Sequence, residues 1–350
     1  MTIIDKSLPV LVTGANGYVA SWLVKYLLED GFTVRATVRD KTNAKKVNHL
    51  NKLAKEHPGH LELFNADLFN NGDFDEAMAG CELVFHTASP FIVRGLNDPQ
   101  KELIEPALNG TRNVLNSANK IQSVKRVVLT SSVVAIYSDN IETLKQANGT
   151  FSETDWNVSS SIDNQPYNYS KTLAEKEAWK MSEAQDRWDM VVMNPGLVLG
   201  PSLAQASDST SLSTMLEIMD GTLRTGAPNL RFPIVDVRDV ALAHIKGAMK
   251  ETAHGRHVLV SGSASLMQMA GWIKEAFPGR CKLPLFQAPK FLVWLIAPIF
   301  GITRNFVKLN VGYPIEFDNS RARQELDFEF MSVDHSVKDH AQQIIDDNLM

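Results

Sequence analysis

Pro9-Val10-Leu11-Val12-Thr13 runs without a break into Gly14-Ala15-Asn16-Gly17-Tyr18-Val19-Ala20, and an amphipathic pattern continues to Glu29. A short apolar run rich in valine reads as a buried strand, and the 3.6-residue periodicity after it reads as a helix. A glycine between the two lets the backbone turn sharply and approach a pyrophosphate. The helix N-terminus adds unpaired N–H donors and the positive end of its dipole. Gly-x-x-Gly by itself is common and often only punctuates a turn. Between the first strand and first helix of a βαβ unit it reads as a dinucleotide site, with Thr13, Gly14, Asn16, Gly17, Tyr18 and Val19 as its residues.

Outward from this turn, apolar runs and amphipathic segments alternate. Strands are expected over 9–13, 33–38, 61–65, 83–86, 126–130 and 190–194, with helices between them, among them 18–29, 101–119 and 167–183. This alternation predicts an α/β fold, a Rossmann-type doubly wound parallel sheet with a smaller C-terminal substrate lobe. The expected division is 1–200 for the nucleotide domain, rejoined by parts of 237–262, and 201–350 mainly for the lobe. A Ser/Thr-rich loop is expected over 207–214, and Pro228, Pro233, Pro278, Pro284 and Pro289 punctuate the mixed helix and strand pieces C-terminal to it.

With 350 residues, 44% hydrophobic and 21% charged, the composition leaves no room for a mainly disordered or fibrous chain. A formal net charge of −5, without a long run of either sign, argues against a nucleic-acid or anionic-membrane surface. Cys81 and Cys281 stand in no ligand spacing, and His244, His254 and His257 have no partner that would complete a site, so no metal is expected. The first eleven residues show no signal-peptide pattern, and a cytoplasmic monomer or homodimer is the expectation. The apolar stretch 291–303, interrupted by Pro298 and Gly301, is shorter than a membrane span of about 20 residues. It reads as a buried or partner-facing helix rather than a membrane contact.

Val38-Arg39-Asp40 ends the second strand. An acid there would bind the ribose 2′-OH of NAD, whereas an arginine pairs with the 2′-phosphate of NADP. Val38 takes the acid's slot, Arg39 is next to it, and Lys45 and Lys46 lie about one helical turn beyond, which favours NADPH; Asp40 leaves the alternative open. Tyr167 and Lys171 are four apart on an expected helix and share a face. A neighbouring ammonium is expected to pull the phenol below its usual pKa of about 10 and make it a usable proton donor. Of the six tyrosines only Tyr167 has a lysine at this offset. Thr130-Ser131-Ser132 ends the fifth strand, where ligands of open parallel sheets sit, and a serine there can hydrogen-bond a reacting oxygen. The blander alternatives are a turn-capping serine pair and a surface lysine.

These residues resemble the extended short-chain dehydrogenase/reductases, and within them the dihydroflavonol reductase, cinnamoyl-CoA reductase and aldehyde or ketone reductase group. The likeness rests on Leu23, on Val34 to Asp40, on Thr42 to Val47 and on Ala66-Asp67-Leu68, and further on Val84-Phe85-His86-Thr87-Ala88-Ser89-Pro90 and Tyr167 to Glu175. It implies that Arg39 and Lys46 hold the 2′-phosphate, that Asp67 and Leu68 border the adenine, and that Thr87, Ala88 and Ser89 line the cofactor. Pro195 and Val198 would flank the nicotinamide, Ser211 would contact a phosphate, Lys171 would also bond the ribose, and Ser132 would be the catalytic serine beside Tyr167 and Lys171. Tyr137 stands where the flavonoid-reducing members carry an asparagine, which argues against a flavonoid. The expected substrate is a small carbonyl compound in a mostly apolar pocket walled by Phe91, Ile92, Tyr137, Trp156, Tyr169, Met215 and Phe232. The expected activity is NADPH-dependent reduction of an aldehyde or ketone. Two alternatives are a nucleotide-sugar epimerase or dehydratase holding NAD, and a non-catalytic NADP-binding protein.

Overall fold

A computed structural model describes residues 4–89, 98–204 and 210–350. Seven strands form one parallel sheet: β1 (Val10–Thr13), β2 (Thr33–Val38), β3 (His60–Asn65), β4 (Leu83–His86), β5 (Arg126–Thr130), β6 (Asp189–Pro195) and a later strand, Gly255–Leu259. The later strand pairs with β6, and the spatial order runs from it through β6, β5, β4, β1 and β2 to β3. The order reverses between β1 and β4, and the carboxyl ends of the two strands open a crevice there. The helices are α1 (Tyr18–Glu29), α2 (Ala44–Glu56), α3 (Asp75–Met78), α4 (Glu105–Lys120) and α5 (Pro166–Glu183). All six expected strands are present within a residue at either end, and this is a Rossmann-type α/β fold.

The sheet explains why its strands read as unbroken apolar runs. Val10 and Val12 point into one core and Leu11 into the other; Val128 and Val191 go with the first, Val127 and Val192 with the second. Successive side chains alternate between faces, and helices cover both faces, so β1 and β4 are buried at every position, whereas the edge strand β3 is only half-buried. The first core is closed by α1 and α7 (Val237–Met249), the second by α3, α4 and α5.

Past β6 the chain leaves the large sheet through β7 (Leu197–Leu199), α6 (Thr210–Met219), β8 (Ala227–Pro228) and β9 (Arg231–Asp236). The first residues of the expected 207–214 loop lie outside the described residues, and from Thr210 the segment is helical. After α7, β10 (Gly255–Leu259) fills the edge of the large sheet. β11 (Gly262–Ser265) then joins β9 and β7 in a three-stranded sheet. Helix α8 (Leu266–Ala276) opens with a capping box between Ser265 and Gln268 and packs with α6 and α12 (Val333–Asp346) around a third core.

The apolar stretch at 291–303 departs from expectation. β12 (Gln287–Ala288), α9 (Lys290–Ile296), a 3₁₀ turn at Ala297–Phe300 and α10 (Arg304–Asn310) build it, and no side chain of α9 is buried. Periodicity reports how apolar a segment is, whereas burial depends on what packs against it. Here Ala297 packs with Val307 and Val311 in a small core of its own, and Asn310 and Ala288 are also buried. Helix α11 (Ser320–Leu326) returns the chain to the first core through Ala322 and Leu326.

Candidate active site

Gly14 adopts a left-handed backbone (φ 63°), and a Cβ there would lie 3.0 Å from the Cα and Cβ of Ala88. Only glycine lets β1 turn this tightly against the end of β4. Gly17 caps α1 without a side chain and donates its N–H to the Gly14 carbonyl at 2.9 Å. The first-turn amides of α1 have no intrahelical acceptor and face the crevice's anion position. Thr13 ties the two strand ends together: its hydroxyl accepts from the Thr87 and Ala88 amides at 3.2 and 3.0 Å and meets His86 Nδ1 at 3.1 Å. The Thr87 hydroxyl donates to the Thr13 carbonyl. This cradle, which any Cβ would fill, fits a pyrophosphate. Tyr18 has only its backbone to offer such a group, because its hydroxyl donates to the Gly200 carbonyl.

At the ribose end, Val38 is 2% exposed in the first core, so the acid's usual slot holds a buried apolar side chain. Arg39 and Lys46 are exposed beside it. Asp40 points back into its own turn, accepting from the Thr42 amide at 2.9 Å and the Thr42 hydroxyl at 2.6 Å, which hold its carboxyl below the usual range. The Asp67 carboxylate is likewise engaged locally, accepting from the Phe69 amide at 3.0 Å, and the Leu68 carbonyl accepts from Asn113 at 2.6 Å. Pro195 pairs in register with Leu259, and Val198 with Val235. Ser211 is nearly buried in the first turn of α6.

Helix α5 starts at Pro166, preceded by Gln165 in the left-handed region (φ 56°), whose amide side chain bonds Asp139 at 3.3 Å. Tyr167 and Lys171 lie one turn apart on α5, with the ammonium 5.8 Å from the centre of the phenol ring. Lys171 Nζ donates to Ser89 Oγ at 2.7 Å, which brings α5 to the end of β4. Burial pulls the Lys171 ammonium down to about 8 and pushes the Tyr167 phenol above its ordinary value. The expected lowering of Tyr167 is therefore not seen: desolvation governs the phenol, and the ammonium is engaged with Ser89. Ser132 Oγ accepts from the Val134 amide at 3.3 Å and lies 3.5 Å from the Pro195 carbonyl. Turn capping and a role at a reacting oxygen are thus compatible in one residue, since the hydroxyl proton has only the long contact to Pro195.

One carboxylate beneath these residues is absent from the sequence-based expectations. Glu175 is buried; it accepts from Ser131 Oγ and from Asn194 Nδ2 at 2.8 Å, and its other oxygen lies 2.6 Å from Arg256 Nε. Arg256 stacks on Trp156 at 4.0 Å and donates to the Asp155 carbonyl at 2.5 Å. Ser131 is thereby committed to Glu175, whereas the contacts of Ser132 Oγ are with Val134 and Pro195. A signal for it exists in the chain: Tyr167, Lys171 and Glu175 stand at successive intervals of four on the same helix face. His86, Ser89, Thr130, Ser131, Lys171 and Glu175 line one small recess below the crevice.

The expected substrate walls fare unevenly. Met215 is fully buried in the third core and lines no open pocket, because α6 turns it toward α8 and α12. Tyr137 is 8% exposed and packs at 5.5 Å against the rings of both Phe151 and Phe317, a buried aromatic cluster rather than a wall. Trp156 is held against Arg256, and Phe232 is half-buried on β9. Tyr169 is half-buried on α5, and Phe91 and Ile92 lie outside the described residues.

Comparison with known proteins fits this geometry. Residues 10–261 match the model of the NAD dependent epimerase/dehydratase family. Cinnamoyl-CoA reductase CAD2 of Medicago truncatula is 46% identical over 77% of this chain and 81% of its own length. Tetraketide alpha-pyrone reductase 1 of Arabidopsis thaliana is 37% identical over 94% of this chain and 93% of its own. Among solved structures, Gre2 of Candida albicans in complex with NADPH superposes with a TM-score of 0.78 at 28% identity, covering 97% of this chain and 99% of that one. The strand–turn–helix cradle and the helix bearing Tyr167 and Lys171 thus belong to a chain of the NAD dependent epimerase/dehydratase family, of the extended short-chain dehydrogenase/reductase type and similar to the dihydroflavonol reductases.

Proposed function

We propose that the chain is an NADPH-dependent reductase that converts an aldehyde or ketone into the alcohol. The observation that supports this is that Lys171, one turn from Tyr167 on α5, bonds Ser89 past the end of β4, while Ser132 follows the end of β5. The reductases among its relatives, and the NADPH in the Gre2 structure, support the cofactor and the reaction class.

Gly14, Gly17 and the first-turn amides of α1 would hold the pyrophosphate, Arg39 and Lys46 the 2′-phosphate, and Thr87 to Ser89 the centre of the molecule. Bound NADPH supplies a hydride. Tyr167 donates its proton to the substrate oxygen as that oxygen gains charge. Ser132 Oγ donates a hydrogen bond to the same oxygen, and the Lys171 ammonium stabilises the phenolate left behind. Glu175 holds Ser131, Asn194 and Arg256 as a rigid floor and does not itself move a proton. The segment beyond residue 200 shapes the mouth that admits the substrate.

The test is NADPH consumption across a panel of aldehydes and ketones with the parent and Tyr167→Phe. The parent should turn over, and the variant should lose about 100-fold or more in kcat, the usual worth of a general acid. A parent that leaves NADPH unchanged while carrying tightly bound NAD through purification would replace the proposal with the epimerase reading. The buried Val38 and the self-engaged Asp40 speak against that outcome.

A further inference from the structure

Residues 285–302 contain ten of the fifteen exposed large hydrophobic side chains among the described residues. Phe291 is 74% exposed, Ile299 80% and Phe300 67%, and Phe286, Trp294 and Leu295 are exposed in the same short segment. Singly exposed apolar residues are ordinary, but a contiguous apolar surface marks an interaction site. Its charge is equally one-sided. From Ala276 to Ile315 there are five of the chain's 35 basic residues and none of its 40 acidic ones. Arg280, Lys282, Lys290, Arg304 and Lys308 are all exposed. Arg304 lies over the Trp294 ring at 4.6 Å and Lys290 over Tyr313 at 4.3 Å, so cations stand at the border of the apolar face. The molecule as a whole is acidic, which makes this segregation a local feature.

An apolar face with aromatic residues and a cationic border matches the headgroup boundary of an anionic bilayer, where rings and aliphatic side chains enter and cations meet lipid phosphates. A second copy of the chain fits less well, since two-fold pairing of this face would bring its cations together without an acid to meet them. Spanning is excluded for α9: seven residues rise only about 10 Å, against a hydrocarbon core of about 30 Å. No helix among the described residues is long and apolar enough to cross a membrane.

We propose that residues 285–308 form an interfacial element that seats this protein on anionic phospholipid bilayers. The proposal rests on the exposure and charge of this element and does not depend on the reductase reading. It is anchored to the body through Asn310, which donates to Asp139 at 2.6 Å, the residue that also bonds Gln165 ahead of α5.

The test is co-sedimentation of the full chain with phosphatidylcholine vesicles, with and without phosphatidylserine as a minority lipid, at low and high salt. The parent should bind the anionic vesicles at least ten-fold more strongly than the neutral ones and be released by salt. Phe291→Ser/Ile299→Ser/Phe300→Ser should lower binding at least ten-fold. Lys290→Gln/Arg304→Gln/Lys308→Gln should lower it about five-fold per cation, about 100-fold in all. Unchanged far-ultraviolet circular dichroism and an unchanged urea midpoint would show that the variants fold; if they do not, the parent's dependence on lipid charge and salt decides alone. A parent that stays in solution with anionic vesicles, or binds neutral ones equally, overturns the proposal. So does a concentration-dependent dimer in sedimentation equilibrium that the serine variant dissolves.

Discussion

Arg39 and Asp40 are neighbours with opposite commitments. Asp40 is tied to Thr42, whereas the Arg39 guanidinium is exposed next to a buried valine. Arg39→Ala should raise KM for NADPH about 10- to 100-fold, the worth of one or two charge-assisted hydrogen bonds, and leave KM for NADH nearly unchanged. Equal effects on both cofactors would refute a 2′-phosphate role. Lys171, drawn down to about 8 by burial, would supply the positive charge that the proposed mechanism sets beside the phenolate. It is protonated below that value and neutral above it, so kcat should fall as pH rises through about 8. Lys171→Met should remove both the activity and this limb of the profile. The glycines, Arg39 and the Tyr/Lys pair could be picked out in the sequence because each combines a residue pattern with a position at a strand end or on one helix face. The direction of the Tyr167 shift was not, because it depends on how much water the surrounding elements exclude.

At the scale of elements, apolar runs placed all six of the expected strands, since a strand covered on both faces must be apolar at every position. What sequence could not convey is which element lies against which. Arg126 shows this. It opens β5, is 1% exposed, pairs with Asp189 on β6 at 2.7 and 2.8 Å, and donates to the carbonyls of Gly247, Ala248 and Lys250 at the end of α7. A cation at a helix C-terminus meets its unpaired carbonyls and the negative end of its dipole. Arg126→Ala should lower stability by about 3 kcal/mol, read as a shift of the urea midpoint at constant slope. A loss below about 1 kcal/mol would mean that water replaces these bonds freely. The surface at α9 illustrates the same limit in reverse, since its hydrophobicity was evident and its exposure was not.

For the molecule as a whole, four buried histidines couple stability to acid. Desolvation, the leading cause in each, holds His86 down to about 3 and His244, His257 and His340 down to about 4. Each stays neutral in the fold while the unfolded chain takes up a proton near 6.5, so their contribution is complete above about pH 6.5 and is lost as pH falls toward 4. The slope reaches about 1.4 kcal/mol per pH unit per histidine at most. Thermal unfolding should therefore show a Tm that is level above pH 7 and falls steeply between pH 6.5 and 4. A flat Tm through that window would show that these side chains are hydrated in the fold.

The edge strand β10 also has a consequence for how the chain is made. It completes the large sheet from residues 255–259, after the excursion through β7, β8 and β9. Until those residues leave the ribosome, β6 presents an unpaired edge, and at a length near 200 residues the carbonyls that receive Arg126 have not yet been synthesised either. The nucleotide half is thus finished late in translation, and a nascent chain stalled near residue 200 would carry an open strand, a natural target for chaperones or for mispairing with another chain.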